Sequence, residues 1–315
     1  MSVELKGRSL LTWLDYSVEE IRYLLDFSKK IKAEKSVSQR FRGKTLALIF
    51  EKRSTRTRCA FETAFGEEGG YPVFLSTDDI QLGAKESIED TARVLGRMFS
   101  AIQFRGYSQG TVEALAKYSG VPVYNGLTDL FHPTQALADI MTIEEHCGLS
   151  AGKTLCFVGD GRNNVARSLM VICSKLGTHF TVIAPPGLSP DSNLRETCAP
   201  LAAASGAKIA VTADINAVAG ADAIYTDVWA SMGEEDKKAE RVKLLSPYQV
   251  NQALMDKTGR ADTIFLHCLP AVKGEEVTAG VIDGPQSRAW DQAENRKHTI
   301  KAIMLATLGA SHANS

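Results

Sequence analysis

The feature that most constrains the fold is a regular alternation of short aliphatic runs with amphipathic stretches. In the intervening stretches apolar residues return at helical spacing, as in Ile88, Ala92 and Leu95. Strands that alternate with helices are typical of a parallel sheet with right-handed crossovers and helices on both faces. The aliphatic runs occupy residues 45–50, 72–75, 101–104, 121–124, 155–158, 180–184, 209–212, 223–226 and 263–266. We therefore predict an α/β fold built on doubly wound parallel sheets.

The predicted strands fall into two groups, one before residue 130 and one after residue 150. A chain of 315 residues has the length of about two domains. The stretch between the groups, residues 132–146, predicts one long helix, and residues 291–308 predict another. We expect two doubly wound domains, 1–140 and 141–290, linked by the long helix, with the C-terminal helix 291–308 packing back on the first domain.

Composition excludes several classes of protein. With 44% hydrophobic and 23% charged residues the chain is globular rather than disordered, and it has no apolar run long enough for a membrane span or signal peptide. A net charge of -1 provides no overall attraction to nucleic acid or anionic membranes. The six cysteines lack CxxC or zinc-type spacing, which favours reduced thiols. We expect a cytoplasmic protein with no nucleic-acid or membrane partner, whose anion sites are local.

The segment EKRSTRTRCAFE follows the first predicted strand, where ligands bind in open parallel sheets. Ser54 or Thr55 can cap the next helix, and Arg53, Arg56 and Arg58 lie near the same end. Cations at a positive helix end are unfavourable by about 0.3 to 1 kcal/mol, so three arginines there make sense when an anion offsets them. This pattern predicts a phosphate site, with a solvated basic surface turn as the alternative.

Two later strand ends extend the same site. Arg105 follows the third run, and a second guanidinium suits a dianion, although a lone arginine there is more often a surface residue. His132 directly precedes Pro133, which suits a first helical position, and Gln135 lies one turn in. A histidine at a positive helix end tends to stay neutral and donate a hydrogen bond, although most single histidines are structural. The first domain is thus predicted to hold a phosphate with an acyl oxygen beside it.

The second domain has a different polarity at its strand ends. GDGRNN follows the run 155–158 but lacks the third glycine of GxGxxG, so it is a weak dinucleotide signal. Asn163 and Asn164 can meet a carboxylate or cap the next helix, and the sequence alone favours the cap. Asp227 follows the run 223–226, where an acidic group is a natural partner for an ammonium group.

The segment HCLP follows the last predicted strand. His267 and Cys268 are neighbours in a strand, so their side chains are expected to point to opposite faces, which argues against both binding one metal ion. We expect no metal. Cys268 is left open as a nucleophile, a hydrogen-bonding group or an inert core residue.

Five motifs together carry a family resemblance: STRTR at 54–58, HPTQ at 132–135, DxxxSMG at 227–233, HCLP at 267–270 and ENR at 294–296. In order and spacing the sequence resembles the ornithine carbamoyltransferases, within the aspartate/ornithine transcarbamoylase family. STRTR and HPTQ resemble the carbamoyl-phosphate half that the transcarbamoylases share. The SMG loop and HCLP resemble the ornithine-using members specifically.

The resemblance implies a role for each matching residue. Carbamoyl phosphate is expected to bind Ser54, Thr55, Arg56, Thr57, Gln81, Arg105, His132, Gln135, Cys268, Leu269 and Arg296. Ornithine is expected to bind Asn164, Asp227, Ser231 and Met232, with Asp227 taking the α-ammonium group. Catalytic roles are implied for Arg56, Arg105, His132 and Cys268. Gln81 is implied to reach a neighbouring subunit, which gives a homotrimer with shared active sites, and Leu269–Pro270 is implied to be a cis peptide.

The reaction implied by the resemblance is direct attack of the δ-amine of L-ornithine on carbamoyl phosphate, giving L-citrulline and phosphate without cofactor, metal or covalent intermediate. Closure of the domains about the connecting helix is expected to bring the two substrates together. The short stretch 271–290 resembles biosynthetic members, which favours arginine biosynthesis over degradation.

Several alternatives remain on sequence grounds. A sister transcarbamoylase using putrescine leaves Asn164 and the SMG loop with no carboxylate to bind, and one using aspartate needs cationic groups where Asp227 stands. A dinucleotide-dependent oxidoreductase has only the weak support of GDGRNN. A non-catalytic binding protein on the same fold has no need for the full set of anion-binding groups.

Overall fold

The computed structural model describes residues 3–34, 38–76, 80, 86–230 and 237–310. The chain divides into two compact units, Met1–Leu137 with Glu294–Ser315, and Ala138–Ala293. The polypeptide leaves the first unit within one long helix, α5 (Pro133–Cys147), and returns to it within another, α11 (Ala289–Thr307). The carboxyl part of the last helix therefore belongs to the first unit.

The first unit contains a four-stranded parallel sheet in the order β2-β1-β3-β4. Its strands are β1 (Thr45–Phe50), β2 (Tyr71–Ser76), β3 (Ala101–Arg105) and β4 (Val123–Leu127). The helices that precede, follow or connect them are α1 (Val18–Ala33), α2 (Thr55–Gly66), α3 (Ile88–Met98) and α4 (Gln109–Ser119). Phe50 at the end of β1 is in register with Arg105 at the end of β3, so both strands release their loops at the same edge.

The second unit contains a five-stranded parallel sheet in the order β7-β6-β5-β8-β9. Its strands are β5 (Thr154–Val158), β6 (His179–Ile183), β7 (Ile209–Thr212), β8 (Ala223–Thr226) and β9 (Ile264–His267). Its further helices are α6 (Asn164–Leu176), α7 (Ser192–Ser205), α8 (Lys238–Leu245), α9 (Gln252–Asp256) and α10 (Ala279–Ile282). The strand order reverses at β5, which lies between β6 and β8 and places GDGRNN and Asp227 at adjacent strand ends.

Each sheet has its own apolar core. In the first unit Ala47, Ile49, Ile102 and Phe104 are buried against residues of α3 and α4. In the second unit the central strands contribute residues such as Ile224 and Phe265 to a separate cluster. Burying a large aliphatic or aromatic side chain stabilises the fold by about 1.5 to 3 kcal/mol, so the two cores fix the strand ends that carry polar residues.

The predicted α/β class, with two parallel sheets, is confirmed. The predicted strand at 121–124 is displaced: the ladder begins at Val123, after Pro122, and continues through Asn125 and Gly126 to Leu127. Pro122 has no N–H to donate to a neighbouring strand, so the strand begins after it. Asn125 and Gly126 are uncommon in strands, so no sequence pattern indicated that the strand extends to Leu127. None of the helices in the described ranges combines the length and apolar character that crossing a bilayer requires.

Candidate active site

The amino end of α2 forms the base of a candidate anion site in the first unit. Ser54 is its N-cap, in an extended conformation, and its hydroxyl accepts a hydrogen bond from the Thr57 N–H at 3.2 Å. The first turn of any helix carries N–H groups that its own carbonyls cannot reach, which gives this end a partial positive charge. Thr55 is exposed and Arg56 half-buried in that turn, so a ligand can approach it.

Two buried arginines converge on one hydroxyl beneath this turn. Nη1 of Arg105, the last residue of β3, donates to Oγ1 of Thr57 at 3.3 Å, and Nη2 of Arg296 in α11 donates to the same oxygen at 2.9 Å. All three residues are buried. Because these two donors use the lone pairs of the hydroxyl oxygen, the Thr57 hydroxyl can only donate to a further partner. The arrangement concentrates positive charge in a place where an anion is favoured.

His132 lies directly before α5, is buried, and interacts electrostatically with three arginines. Burial lowers the pKa of its imidazole well below the usual value, and the positive charges of Arg296, Arg105 and Arg56 lower it further. The ring is therefore neutral near neutral pH and can donate one hydrogen bond. A neutral donor suits a carbonyl oxygen that gains negative charge during a reaction.

The HPTQ segment is anchored by a residue that the sequence did not reveal. Nε1 of Trp13 donates to the carbonyl oxygen of Pro133 at 2.8 Å, and both groups are buried. Pro133 is the first residue of α5, as predicted, and Gln135 is buried in the same turn. Trp13 stands 120 residues away along the chain, so no local pattern could have pointed to it.

The first unit thus assembles most of the predicted carbamoyl-phosphate residues, namely Ser54, Thr55, Arg56, Thr57, Arg105, His132, Gln135 and Arg296. Gln81 lies outside the described residues. The assembled groups can hold a phosphate at the helix end and polarise an adjacent carbonyl oxygen.

Asp227 organises the polar groups of the second unit. It follows β8 and is buried, and its Oδ1 accepts from the Val228 N–H at 2.8 Å and from the Cys268 thiol at 3.1 Å. Its Oδ2 accepts from Nδ2 of Asn163 at 2.8 Å. A carboxylate has about four acceptor positions, so these neutral donors orient Asp227 and leave it able to accept from an ammonium or amine group.

Asn163 and Asn164 play different parts in the structure. Asn163 is the N-cap of α6, and its Oδ1 accepts from the Val165 N–H at 2.7 Å, so the predicted cap is confirmed at this position. Asn164 is the first residue of α6 and is half-buried. Its contact with a substrate carboxylate stays a prediction, and Ser231 and Met232 lie outside the described residues.

The prediction that His267 and Cys268 face opposite ways was wrong. Strand β9 ends at His267, so strand alternation does not extend to Cys268. Ligand atoms of Asp227, His267 and Cys268 lie within 4.8 Å of one another and could together hold a metal ion. Both ring nitrogens of His267 are already in hydrogen bonds, however: Nδ1 accepts from the Leu269 N–H at 2.8 Å and Nε2 lies 3.3 Å from Oε1 of Glu276. A metal would have to displace one of them.

Glu276 and His267 hold the backbone of the HCLP loop. Leu269 has a φ of 60° and its peptide bond to Pro270 is cis. A non-glycine residue in the left-handed region costs about 1 to 3 kcal/mol, which the His267 hydrogen bond helps to offset. Oε1 of Glu276 also accepts from the Val272 N–H at 2.6 Å. Glu276 is fully buried and gave no signal in the sequence, because its partners become visible only when the loop is folded.

Two family models cover most of the chain. The carbamoyl-P binding domain of aspartate/ornithine carbamoyltransferase matches residues 8–145. The Asp/Orn binding domain of the same family matches residues 151–307.

Individual relatives agree with these matches. The chain is 67% identical over 312 residues to an ornithine carbamoyltransferase of Caldanaerobacter subterraneus, covering 98% of this chain and 100% of that one. It is 54% identical over 329 residues to a catabolic ornithine carbamoyltransferase of Bacillus licheniformis, covering 98% of each. The solved ornithine carbamoyltransferase of Pyrococcus furiosus superposes with a TM-score of 0.95 at 48% identity, covering 98% of this chain and 99% of that one. The resemblance predicted from five motifs is confirmed, and the chain belongs to the aspartate/ornithine carbamoyltransferase family.

Proposed function

We propose that this carbamoyltransferase moves the carbamoyl group of carbamoyl phosphate to the δ-amine of L-ornithine, giving L-citrulline and phosphate. The observation that carries the proposal is the convergence of Arg105 and Arg296 on the Thr57 hydroxyl, beside a buried and neutral His132. A dianionic phosphate with a carbonyl attached matches that combination of cations and one neutral donor.

The first unit is the proposed carbamoyl-phosphate half. The amino end of α2, with Ser54, Thr55, Arg56 and Thr57, receives the phosphate, and Arg105 bridges phosphate and carbonyl oxygens. His132, Gln135 and Arg296 bind the carbamoyl group. The Thr57 hydroxyl supports this assignment, since it accepts from two guanidinium groups and can donate its own proton to a phosphate oxygen.

The second unit is the proposed ornithine half. Asp227 accepts the α-ammonium group, and Asn164 with the backbone of Ser231 and Met232 takes the α-carboxylate. Cys268 and the Leu269 carbonyl lie at the attacking nitrogen. The hydrogen bonds from Asn163 and Cys268 to Asp227 support the assignment, because they fix the carboxylate without neutralising it.

The proposed chemistry is acyl transfer by direct attack. The neutral δ-amine forms a C–N bond to the carbonyl carbon, and a tetrahedral oxyanion develops at the carbonyl oxygen. Arg56, Arg105 and His132 stabilise that oxyanion, where losing one donor typically costs about 2.7 to 4 kcal/mol. The C–O bond to phosphate then breaks, phosphate departs with the electron pair of that bond, and the nitrogen transfers its extra proton to the departing phosphate.

The test offers carbamoyl phosphate with ornithine, putrescine, N-acetylornithine and aspartate in parallel and measures each carbamoylated product. We expect citrulline to be the dominant product by a wide margin. Dominant carbamoylputrescine would assign the chain to a sister activity, and no product from any acceptor would refute carbamoyl transfer by this chain.

We also propose that the protein is a homotrimer in which Gln81 completes a neighbouring subunit's site. The support is the match of the residues around Gln81 to the family pattern. Light scattering should give three times the chain mass of 34.1 kDa. Mixing inactive Gln81→Ala chains with inactive Arg56→Ala chains should restore part of the activity, because some sites then receive both wild-type residues. A monomeric mass, or no recovery on mixing, contradicts shared sites.

We propose arginine biosynthesis in the cytoplasm as the biological setting. The short stretch 271–290 supports the biosynthetic direction, and the six cysteines, all within described ranges, form no disulfide. Expression in a bacterial strain that lacks its own ornithine carbamoyltransferase should restore growth without arginine. A protein that is active in extracts but fails to restore growth would favour the degradative direction.

A further inference from the structure

A buried network in the second unit centres on Gln292, in the first turns of α11. Its Nε2 donates to Oδ1 of Asp139 at 2.6 Å and to the Tyr225 hydroxyl at 3.0 Å. Its Oε1 accepts from the backbone N–H of His267 at 2.9 Å. The side chains of Gln292, Asp139, Tyr225 and His267 are all fully buried, at 0% exposure. Both hydrogens and the oxygen of one amide are therefore used away from water.

The network joins two helices to the two strands that end at the proposed ornithine site. Asp139 belongs to α5, and Gln292 to α11. Tyr225 lies in β8 two residues before Asp227, and His267 ends β9 one residue before Cys268. The two strands are paired, with Tyr225 opposite Leu266. One amide side chain thus ties both strand ends to the helices, immediately upstream of the residues that touch each other at the site.

The chemistry of the network demands an amide at position 292. The Asp139 carboxylate needs a donor, and the His267 backbone N–H needs an acceptor. An ionised carboxylate at position 292 could accept but not donate, and an apolar side chain could do neither. Fold stability alone does not require such a group, because well-packed apolar residues can replace a buried polar network at little cost.

We propose that Gln292 is a positioning residue for ornithine: it fixes the ends of β8 and β9 so that Asp227 and Cys268 stay in their mutual hydrogen bond. The proposal rests on the ornithine-binding role proposed above for Asp227. Gln292 itself touches neither substrate and acts through Tyr225 and the His267 backbone.

The charges around Gln292 allow a direct test. The titratable groups that belong to the network or interact electrostatically with it are Asp139 on α5, Tyr225 on β8, His267 on β9, Cys173 on α6, and Asp227 with Cys268 at the strand ends. Burial raises the pKa of both Tyr225 and Cys173 well above the usual values, so both groups stay neutral. In Gln292→Glu a second carboxyl would lie against Asp139, and one of the two must hold a proton. Deprotonation at alkaline pH would then push the pair apart.

The experiment compares Gln292→Glu, Gln292→Met and the double variant Asp139→Asn with Gln292→Glu. In both single variants we expect the KM for ornithine to rise about tenfold, and the KM for carbamoyl phosphate to change less, because only Cys268 and Leu269 of its proposed ligands lie in this unit. In Gln292→Glu the loss should grow as pH rises. The double variant restores a donor at 139 and an acceptor at 292, so it should recover the ornithine KM and the wild-type pH profile.

Gln252→Glu is the matched control. Nε2 of Gln252 also donates to an aspartate, Oδ1 of Asp256, at 2.8 Å, but the pair is exposed on the short helix α9. The same chemical change in water should alter neither the substrate KM values nor the pH profile.

A merely structural role predicts a lower melting temperature with unchanged kinetic constants for the folded protein, and that result would overturn the proposal. If the single variants do not fold, the double variant decides: recovery of the ornithine KM supports the proposal, whereas a double variant that regains neither the fold nor the KM overturns it. Inactive wild-type protein would instead refute the proposed function, so the two failures are distinguishable.

Discussion

The polar residues of the two units have opposite charge: positive groups cluster in the first unit, and a single carboxylate is held by uncharged donors in the second. In the first unit, Arg105 and Arg296 meet at the Thr57 hydroxyl, and burial, reinforced by three positive charges, holds the pKa of His132 down. In the second unit, one carboxylate, Asp227, is held by an amide, a thiol and a backbone N–H, all of them neutral. The first arrangement creates a strong field, whereas the second fixes a single acceptor.

The difference follows from what each half is proposed to bind. A dianion with a carbonyl needs positive charge and donors in place before it arrives, because reorganising them during the reaction would cost free energy. An amino acid whose side-chain amine must attack while neutral needs a carboxylate for its α-ammonium group and weak, directional contacts elsewhere. Changing the charge should therefore matter most in the first unit, and changing hydrogen-bond geometry should matter most in the second.

The largest expected effect is on the first unit, where Arg56, Arg105 and Arg296 act on His132. Arg56→Ala removes one of the charges that act on His132 and should lower kcat about 100- to 1,000-fold while the fold is retained. Arg58→Ala is the control, because Arg58 is exposed in the same helix and pairs with Glu62 at 2.9 Å. Steady-state kinetics with circular dichroism on both variants make the comparison. Near-normal turnover in Arg56→Ala would defeat the phosphate assignment.

The second expected effect is on the second unit, where uncharged donors hold the Asp227 carboxylate. Asp227→Asn removes the negative charge from a side chain that accepts three hydrogen bonds, and it should raise the KM for ornithine about 10- to 100-fold. The KM for carbamoyl phosphate should change less, since all of its proposed ligands except Cys268 and Leu269 lie in the other unit. Asp262→Asn, an exposed aspartate paired with Arg260, serves as control. Equal rises in both KM values would show that the two halves are not separable.

The pH dependence should also separate the halves. A free alkyl amine has a pKa near 10.4, so kcat/KM for ornithine should rise about tenfold per pH unit from pH 6 towards mildly alkaline values. The lowered pKa of His132 keeps its imidazole neutral over this range, so titration of His132 should not contribute to the pH profile of kcat/KM. The KM for carbamoyl phosphate is expected to stay nearly constant. A flat profile for ornithine would argue against amine attack.

The smallest expected effect concerns stability. Below about pH 6.5 the unfolded chain can protonate the imidazole of residue 132, whereas the folded chain resists protonation because the pKa of His132 is lowered. The unfolded state then binds more protons, so the free energy of unfolding falls as pH drops below 6.5. Denaturant titrations at pH 7 and 5 should show a smaller fall in His132→Asn than in the wild type.

The sequence predicted the candidate site residues of the first unit more completely than those of the second. STRTR and HPTQ are local motifs whose residues sit at helix ends, so capping rules and the helix dipole indicate their geometry directly. Arg105 was likewise expected from its position at a strand end, and it is the last residue of β3. The contact of Arg296 with Thr57 spans 239 residues, and the sequence supplied it only through the family resemblance.

The arrangement of the candidate site residues in the second unit depends on contacts that local sequence patterns do not indicate. The alternation rule failed at Cys268 because the strand ends one residue earlier, at His267. Asn163 unites two roles, helix cap and partner of Asp227, and only the cap has a sequence signature. Gln292 accepts a hydrogen bond from the backbone of another element, and Glu276 accepts one from the backbone of a loop. Neither contact follows from a local sequence pattern, because each forms only in the folded chain.

A crystal structure of the protein with a stable carbamoyl phosphate analogue, in which a methylene group replaces the bridging oxygen, would locate the proposed phosphate site directly. We expect phosphonate oxygens at the N–H groups of the first turn of α2 and at the Thr57 hydroxyl, with the amide oxygen facing His132. An analogue bound elsewhere, or no analogue bound at concentrations that inhibit the enzyme, would refute the proposed site.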